Sequence, residues 1–202
     1  MQALVAPTYN RLADVLTDAP WDAPSLCAKW AVRHVVAHVT MPARLTPDLF
    51  AAEMAAARGD FGVLSDTVAA RDAELPADVL LAQLRSPELH AWQPPGGGAA
   101  GALSHAVIHS LDITVALDRP AVAPPEAVTA VLDLITEARG TWFGIDLTGV
   151  HLEATDLNWQ WSDAEPVGPP VRTDGGSLVA VLSGRTLPDG RGLPRVGRLH
   201  ST

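Results

Sequence analysis

The sequence predicts a mainly α-helical protein, a bundle of four or five helices followed by a small α+β lobe from about residue 145. Three observations point there. Apolar residues recur at helical spacing through the first 140 or so positions, prolines and glycines cut that pattern into segments, and the texture then changes to short alternating runs. The expected boundary divides the chain into 1–144 and 145–202.

The elements follow in order. In "ALVAPTYNRLADVLTDA" Leu4, Val5, Tyr9, Leu12 and Leu16 fall near one helical face. Pro20 and Pro24 bound a loop containing Trp21. "WAVRHVVAHVTMPARL" groups Val32, Val35, Val36 and Val39 into a second stripe, and Pro42 and Pro47 predict a kink or an early end. "GVLSDTVAARDAEL" and "PADVLLAQLRS" are shorter helical candidates, with Pro76 suited to the first turn of the second. A Pro-Pro-Gly-Gly-Gly loop leads into a helix from about Ala102 to Leu117, ended by Asp118-Arg119-Pro120. "PPEAVTAVLDLITEARG" is a helix opened by prolines and stopped by Gly140. "GVHLEATDLNWQWSD" suits two strands with a turn around Thr155-Asp156. "VGPPVRTD" suits a loop and short strand, "GGSLVAVLSGRTLPDG" a short helix ending at Gly184, and "LPRVGRL" a last strand.

Composition narrows the function. With 202 residues and 48% hydrophobic content, the chain can bury a core without disulfides, and Cys27 has no cysteine partner. No basic, apolar leader and no membrane-length apolar run are visible, so a soluble cytoplasmic protein is expected. A formal charge of −9 argues against nucleic-acid binding, which depends on cations meeting phosphates.

The chemistry-bearing feature is "HAVIHSLDI". His105 and His109, four apart, project from one helix face with Cβ atoms about 6 Å apart, close enough to share a metal or simply to pack as core histidines. His34 and His38 repeat the spacing on the second helix, and the valines around His38 aim it inward. Facing helices of a bundle build metal sites in this way, and three histidines on zinc would leave open positions. His34 is either a fourth ligand or an exposed or supporting residue, and its neighbour Arg33 favours the latter. Asp112 can orient an imidazole or sit on the helix surface. His90, His151 and His200 read as structural or solvated, and Cys27 as a buried, inert thiol.

"SLCAKWAVRHVVAHV", "HAVIHSLDITVAL", "LEATDLNWQW" and "LVAVLSGR" together, in this order, resemble the mycothiol-dependent maleylpyruvate isomerase family, within the DinB/YfiT-like metal-binding bundles. The resemblance implies a DinB-like four-helix bundle with a small C-terminal α+β lobe, and a divalent metal, usually zinc, on His38, His105 and His109. It also implies a use for Arg185, the arginine of "SGR", in binding an anionic substrate or the thiol cofactor. The isomerases proper usually carry glutamate where this chain has His105, and the family tends to have an acidic residue at His34 and serine or threonine at Ala31.

The expected function is therefore a zinc-dependent enzyme using a low-molecular-weight thiol such as mycothiol. Metal-activated thiolate would add to a small electrophile, giving S-transfer or a maleylpyruvate-type cis–trans isomerisation, with Asp112 fixing an imidazole and Arg185 attracting a carboxylate. The expected partners are small molecules, with neither nucleic acid nor membrane, and a homodimer is compatible with the sequence. The alternative is a non-catalytic metal- or small-ligand-binding bundle. A plain helical interaction domain would carry no metal, and a thiol-free hydrolase lacks a clear general base beside the histidines.

Overall fold

The computed structural model describes residues 1–188, 190, 192–193 and 196–198. The chain is mainly helical, with a C-terminal part that mixes short strands and one helix. None of the described helices is long and apolar enough to cross a membrane.

Helix α1 (Val5–Leu16) follows a 3-10 turn and buries Val5, Tyr9, Leu12 and Leu16, the predicted stripe. Helix α2 (Val32–Val39) buries its four valines completely, each worth about 1.5–3 kcal/mol relative to exposure. It stops at Thr40, before the Pro42 turn, so the proline region ends the helix. Arg44 folds back at that end: its guanidinium donates to the Ala37 carbonyl at 2.6 Å and to Asp72 at 2.9 Å. A cation thus satisfies a last-turn carbonyl in the favoured sense of the helix dipole.

Two helices absent from the expectation come next to others that were expected. Helix α3 (Pro47–Ala56) starts at Pro47 with Thr46 as its cap. Helix α4 (Phe61–Asp72) is capped by Asp60, and helix α5 (Ala77–Leu84) begins after Pro76. Helix α6 (Pro87–Ala91) is only five residues long. Helix α7 (Gly98–Thr114) begins four residues earlier and ends three residues earlier than the apolar pattern suggests. Its first turn uses the glycines of the loop itself: a Cβ at Gly101 would come within 2.7 Å of the Pro94 ring. Helix α8 (Pro125–Glu137) follows.

Helices α1, α2, α5 and α7 pack on one another, α4 closes on α2, and α8 lies against α7. One hydrophobic core continues from these helices into the C-terminal part, where Leu111 and Val128 share a cluster with Leu152 and Leu178. A smaller cluster of Met41, Leu64 and Val68 carries Leu45, Phe50 and Met54 at its edge.

Gly140 turns the chain out of α8 with φ +74°, and a Cβ there would meet the Ile145 carbonyl oxygen at 2.6 Å. Gly140→Ala is expected to cost roughly 1–3 kcal/mol, read as a lower urea midpoint at unchanged slope. Strand β1 (Ile145–Asp146) pairs antiparallel with the terminal strand β5 (Gly197–Arg198). The remaining "LPRVGRL" positions Pro194, Arg195 and Leu199, and also His200, lie outside the described residues. Strands β2 (His151–Ala154) and β3 (Gln160–Ser162) form the predicted hairpin, and β4 (Val171–Thr173) joins β2 in parallel.

Strand β4 feeds helix α9 (Gly175–Leu182), capped by Asp174 and buried along its whole length. A Cβ at Gly175 would meet Leu157 at 2.5 Å, and one at Gly176 would meet Leu111 of α7 at 3.1 Å. This close docking of α9 on α7 and α8 fixes where the next residues go. Gly184 reverses the chain at φ +84° and delivers Arg185 to Asp112 in the last turn of α7.

Candidate metal centre

The first ring comes from α2. The valine stripe turns His38 inward, leaving it 5% exposed. The other two come from α7, where a spacing of four stacks His105 and His109 on the face toward α2. The three ring centroids lie 5.3 Å (His38 to His105), 4.8 Å (His38 to His109) and 4.8 Å (His105 to His109) apart. One nitrogen from each falls within 4.8 Å of the others.

Each ring is also held from behind. Nδ1 of His38 lies 3.0 Å from Ser65 Oγ, Nδ1 of His105 lies 2.9 Å from Tyr9 Oη, and Nδ1 of His109 lies 2.8 Å from Asp112 Oδ2. The Asp112 carboxylate can only accept, so His109 carries its proton on Nδ1 and leaves Nε2 bare, and the Ser65 and Tyr9 hydroxyls are able to accept from Nδ1 of their own rings in the same way. Burial, with the neighbouring rings adding to it, lowers the pKa of His105 well below the usual 6.5. Burial followed by the charge on His109 takes that of His38 down to about 3. These rings are therefore neutral at pH 7, the form that ligates a metal.

Asp112 is the hub of the next layer. Its side chain is 1% exposed, and burial alone would raise its pKa, but hydrogen bonds from His109 and Arg185 win and hold it ionised. Arg185 grips it with two donors, Nε to Oδ1 at 2.7 Å and Nη2 to Oδ2 at 3.0 Å, and a third nitrogen donates to the Ser183 carbonyl. The carboxylate that Arg185 attracts is thus the chain's own. Cys27 donates to Asp112 at 3.0 Å, brought there by a loop whose Leu26 N–H bonds the Asp112 carbonyl. Burial pushes this thiol up to about 12, Asp112 adding to the rise against the pull of Arg185, so Cys27 stays protonated. Cys27, His109 and Asp112 form a second close group, but the adjacent guanidinium repels a cation there.

His34 does not join the rings. It is half-buried at the start of α2, and its Nδ1 accepts from the Ala31 N–H at 3.2 Å. In a capping box, a third-position side chain reaches back to the cap residue in this way. His34 keeps that half, while Ala31 has no oxygen to supply the other. His90 bonds the Leu84 carbonyl through Nε2 at 2.9 Å, and His151 sits on β2 away from the cluster.

Two ring partners escaped the sequence reading. Tyr9 and Ser65 appear there only as parts of helical segments. The signal was present: Tyr9 is the chain's sole tyrosine and lies on a fully buried stripe, where a phenol needs a partner.

Two cavities meet at the rings. One, of about 710 Å³, is lined by apolar groups from the α2–α3 turn and the loop before α7, with Trp92 edge-on to His105. The other, of about 690 Å³, holds Cys27, Asp66, Arg185, Thr186 and Arg198. His38, His109 and Phe61 line both.

Residues 6–91 match the family model of the mycothiol maleylpyruvate isomerase N-terminal domain. The match spans less than half of the chain. Of the three rings, the matched segment contains His38, together with the partners Tyr9 and Ser65, whereas His105 and His109 follow it. The fold matches over 98% of the chain to the crystal structure of the mycothiol-dependent maleylpyruvate isomerase, covering 93% of that chain at 19% identity and a TM-score of 0.51. A histidine-to-alanine mutant of that enzyme matches with the same coverage at 18% identity and a TM-score of 0.50. No curated protein matches the chain in sequence.

Proposed function

We propose that the chain is an enzyme that holds a divalent metal, zinc, on His38, His105 and His109. It would use a low-molecular-weight thiol such as mycothiol against a small electrophile, by S-transfer or by cis–trans isomerisation through reversible thiol addition. The observation that carries this reading is the convergence of three imidazoles, each braced at Nδ1 by Ser65, Tyr9 or Asp112. Such bracing raises ligand basicity and orients the free nitrogen. The donor set suits zinc, and three protein ligands leave room for a further one. Bound there, the metal supplies positive charge that favours thiolate over thiol at neutral pH.

The remaining residues have definable tasks. Asp112 fixes the His109 ring and stays ionised because Arg185 holds it. Arg185 is therefore a positioning residue for the site, and its place on the polar cleft also sets it beside an anionic or polar part of the thiol cofactor. Residues 1–144 supply the rings and 145–202 supply Arg185, a division of roles across one shared core. The same reading makes the chain a soluble cytoplasmic protein with small-molecule partners.

Purified wild-type protein is expected to carry about one zinc per chain and His38→Ala less than a tenth of that, by mass-spectrometric metal analysis. The wild type should also consume mycothiol in the presence of monochlorobimane. Equal metal content in the two proteins rules out the site, and metal without turnover leaves the non-catalytic alternative.

A further inference from the structure

The two cavities at the rings differ in chemistry. The 710 Å³ chamber is walled by side chains such as Met41, Leu45, Phe50, Phe61, Trp92 and Pro94, and only Gln93 and the three histidines are polar. Among the described residues, no arginine, lysine, aspartate or glutamate lines it. Arg44, the cation on the adjoining turn, is committed to Asp72, Thr40, Gln83 and the Ala37 carbonyl. The 690 Å³ cleft on the other side of His38 and His109 carries Asp66, Arg185 and Arg198 instead.

We infer that the apolar chamber selects an uncharged, largely hydrocarbon electrophile, such as an aryl enone, and that the charged cleft takes the polar thiol. This rests on the proposed function and names its second substrate. A carboxylate in the chamber would lie largely on proline, leucine and phenylalanine surface with no side-chain cation to pair it, and the Gln93 amide there already donates to Gln2, so its desolvation cost goes uncompensated. A dicarboxylate such as maleylpyruvate would meet that cost twice, while a neutral aromatic ring gains by burial there. The chamber's volume is in the range of small-molecule sites. The reaction with an enone is balanced without a further reagent. The S–H bond and the C=C π bond break, a C–S bond forms at the β-carbon, and the proton ends on the α-carbon.

The test compares benzylideneacetone with benzylidenepyruvate, the same aryl enone ending in methyl or in carboxylate. Dissociation constants are measured by calorimetry on chelator-treated protein, and thiol consumption is followed on the zinc-loaded enzyme with mycothiol. The neutral enone should bind metal-free protein at least tenfold more tightly. Gln93→Arg, at an exposed position on the chamber lining, should narrow that gap fivefold or more. Equal or tighter binding of the carboxylate, or no measurable binding of either compound, overturns the inference. Neutral preference supports it whether or not thiol is consumed, since missing turnover counts against the proposed function alone. Turnover with carboxylate preference does the reverse.

Discussion

Asp112→Asn is expected to destabilise the protein by about 3 kcal/mol, lowering its melting temperature by roughly 6–12 °C. The carboxylate is almost wholly buried and serves three partners at once: the Arg185 guanidinium, the His109 ring and the Cys27 thiol. Removing its charge leaves the guanidinium without a counter-ion there, bonded to the Ser183 carbonyl. Breaking a buried pair costs about 3–5 kcal/mol, and the 22% exposure of Arg185 places the expectation at the low end. The double variant Asp112→Asn/Arg185→Met should cost less than the sum of the singles, since each single strands what the other removes. Additivity within about 0.5 kcal/mol would show that the pair is not coupled.

Acid should weaken the chelator-treated fold by several kcal/mol between pH 7 and pH 4. The folded protein keeps His38 unprotonated down to about 3, and His105 likewise resists protonation, whereas in the unfolded chain both titrate near 6.5. As pH falls through that window the unfolded state takes up protons the folded state refuses, so stability present above 6.5 is lost progressively. Each ring contributes on the order of 1 kcal/mol per pH unit. Asp112 acts in the same direction lower down, because its folded pKa is below the ordinary 3.8. Urea midpoints at successive pH values measure the slope, and His38→Gln, which removes one titrating ring, should flatten it. A slope identical in the variant would mean that His38 is not the group responsible.

Much of this architecture is legible in the amino-acid order because burial imposes a period. The stripes through Leu12, Val35 and Leu111 mark helices whose inner faces share one core. Where that constraint is weak, the order says less. Helix α3 buries no residue fully, so no stripe marks it, and α6 is too short to display a period. The spacing of four in α7 and the valines around His38 carry the three rings to one place. Their supports are another matter. Ser65 lies 27 positions from His38, and Tyr9 lies 96 from His105, so no local pattern connects them. The Arg185 contact depends on Gly175 and Gly176 letting α9 settle against its neighbours, a packing outcome and not a motif.

His38 and His109 form a party wall between two rooms, one greasy and one charged. On the proposed function, thiol and electrophile would arrive through separate doors and meet at the wall without either giving way to the other. A layout of this kind favours a ternary encounter in either order of arrival over a relay in which the first visitor departs before the second enters.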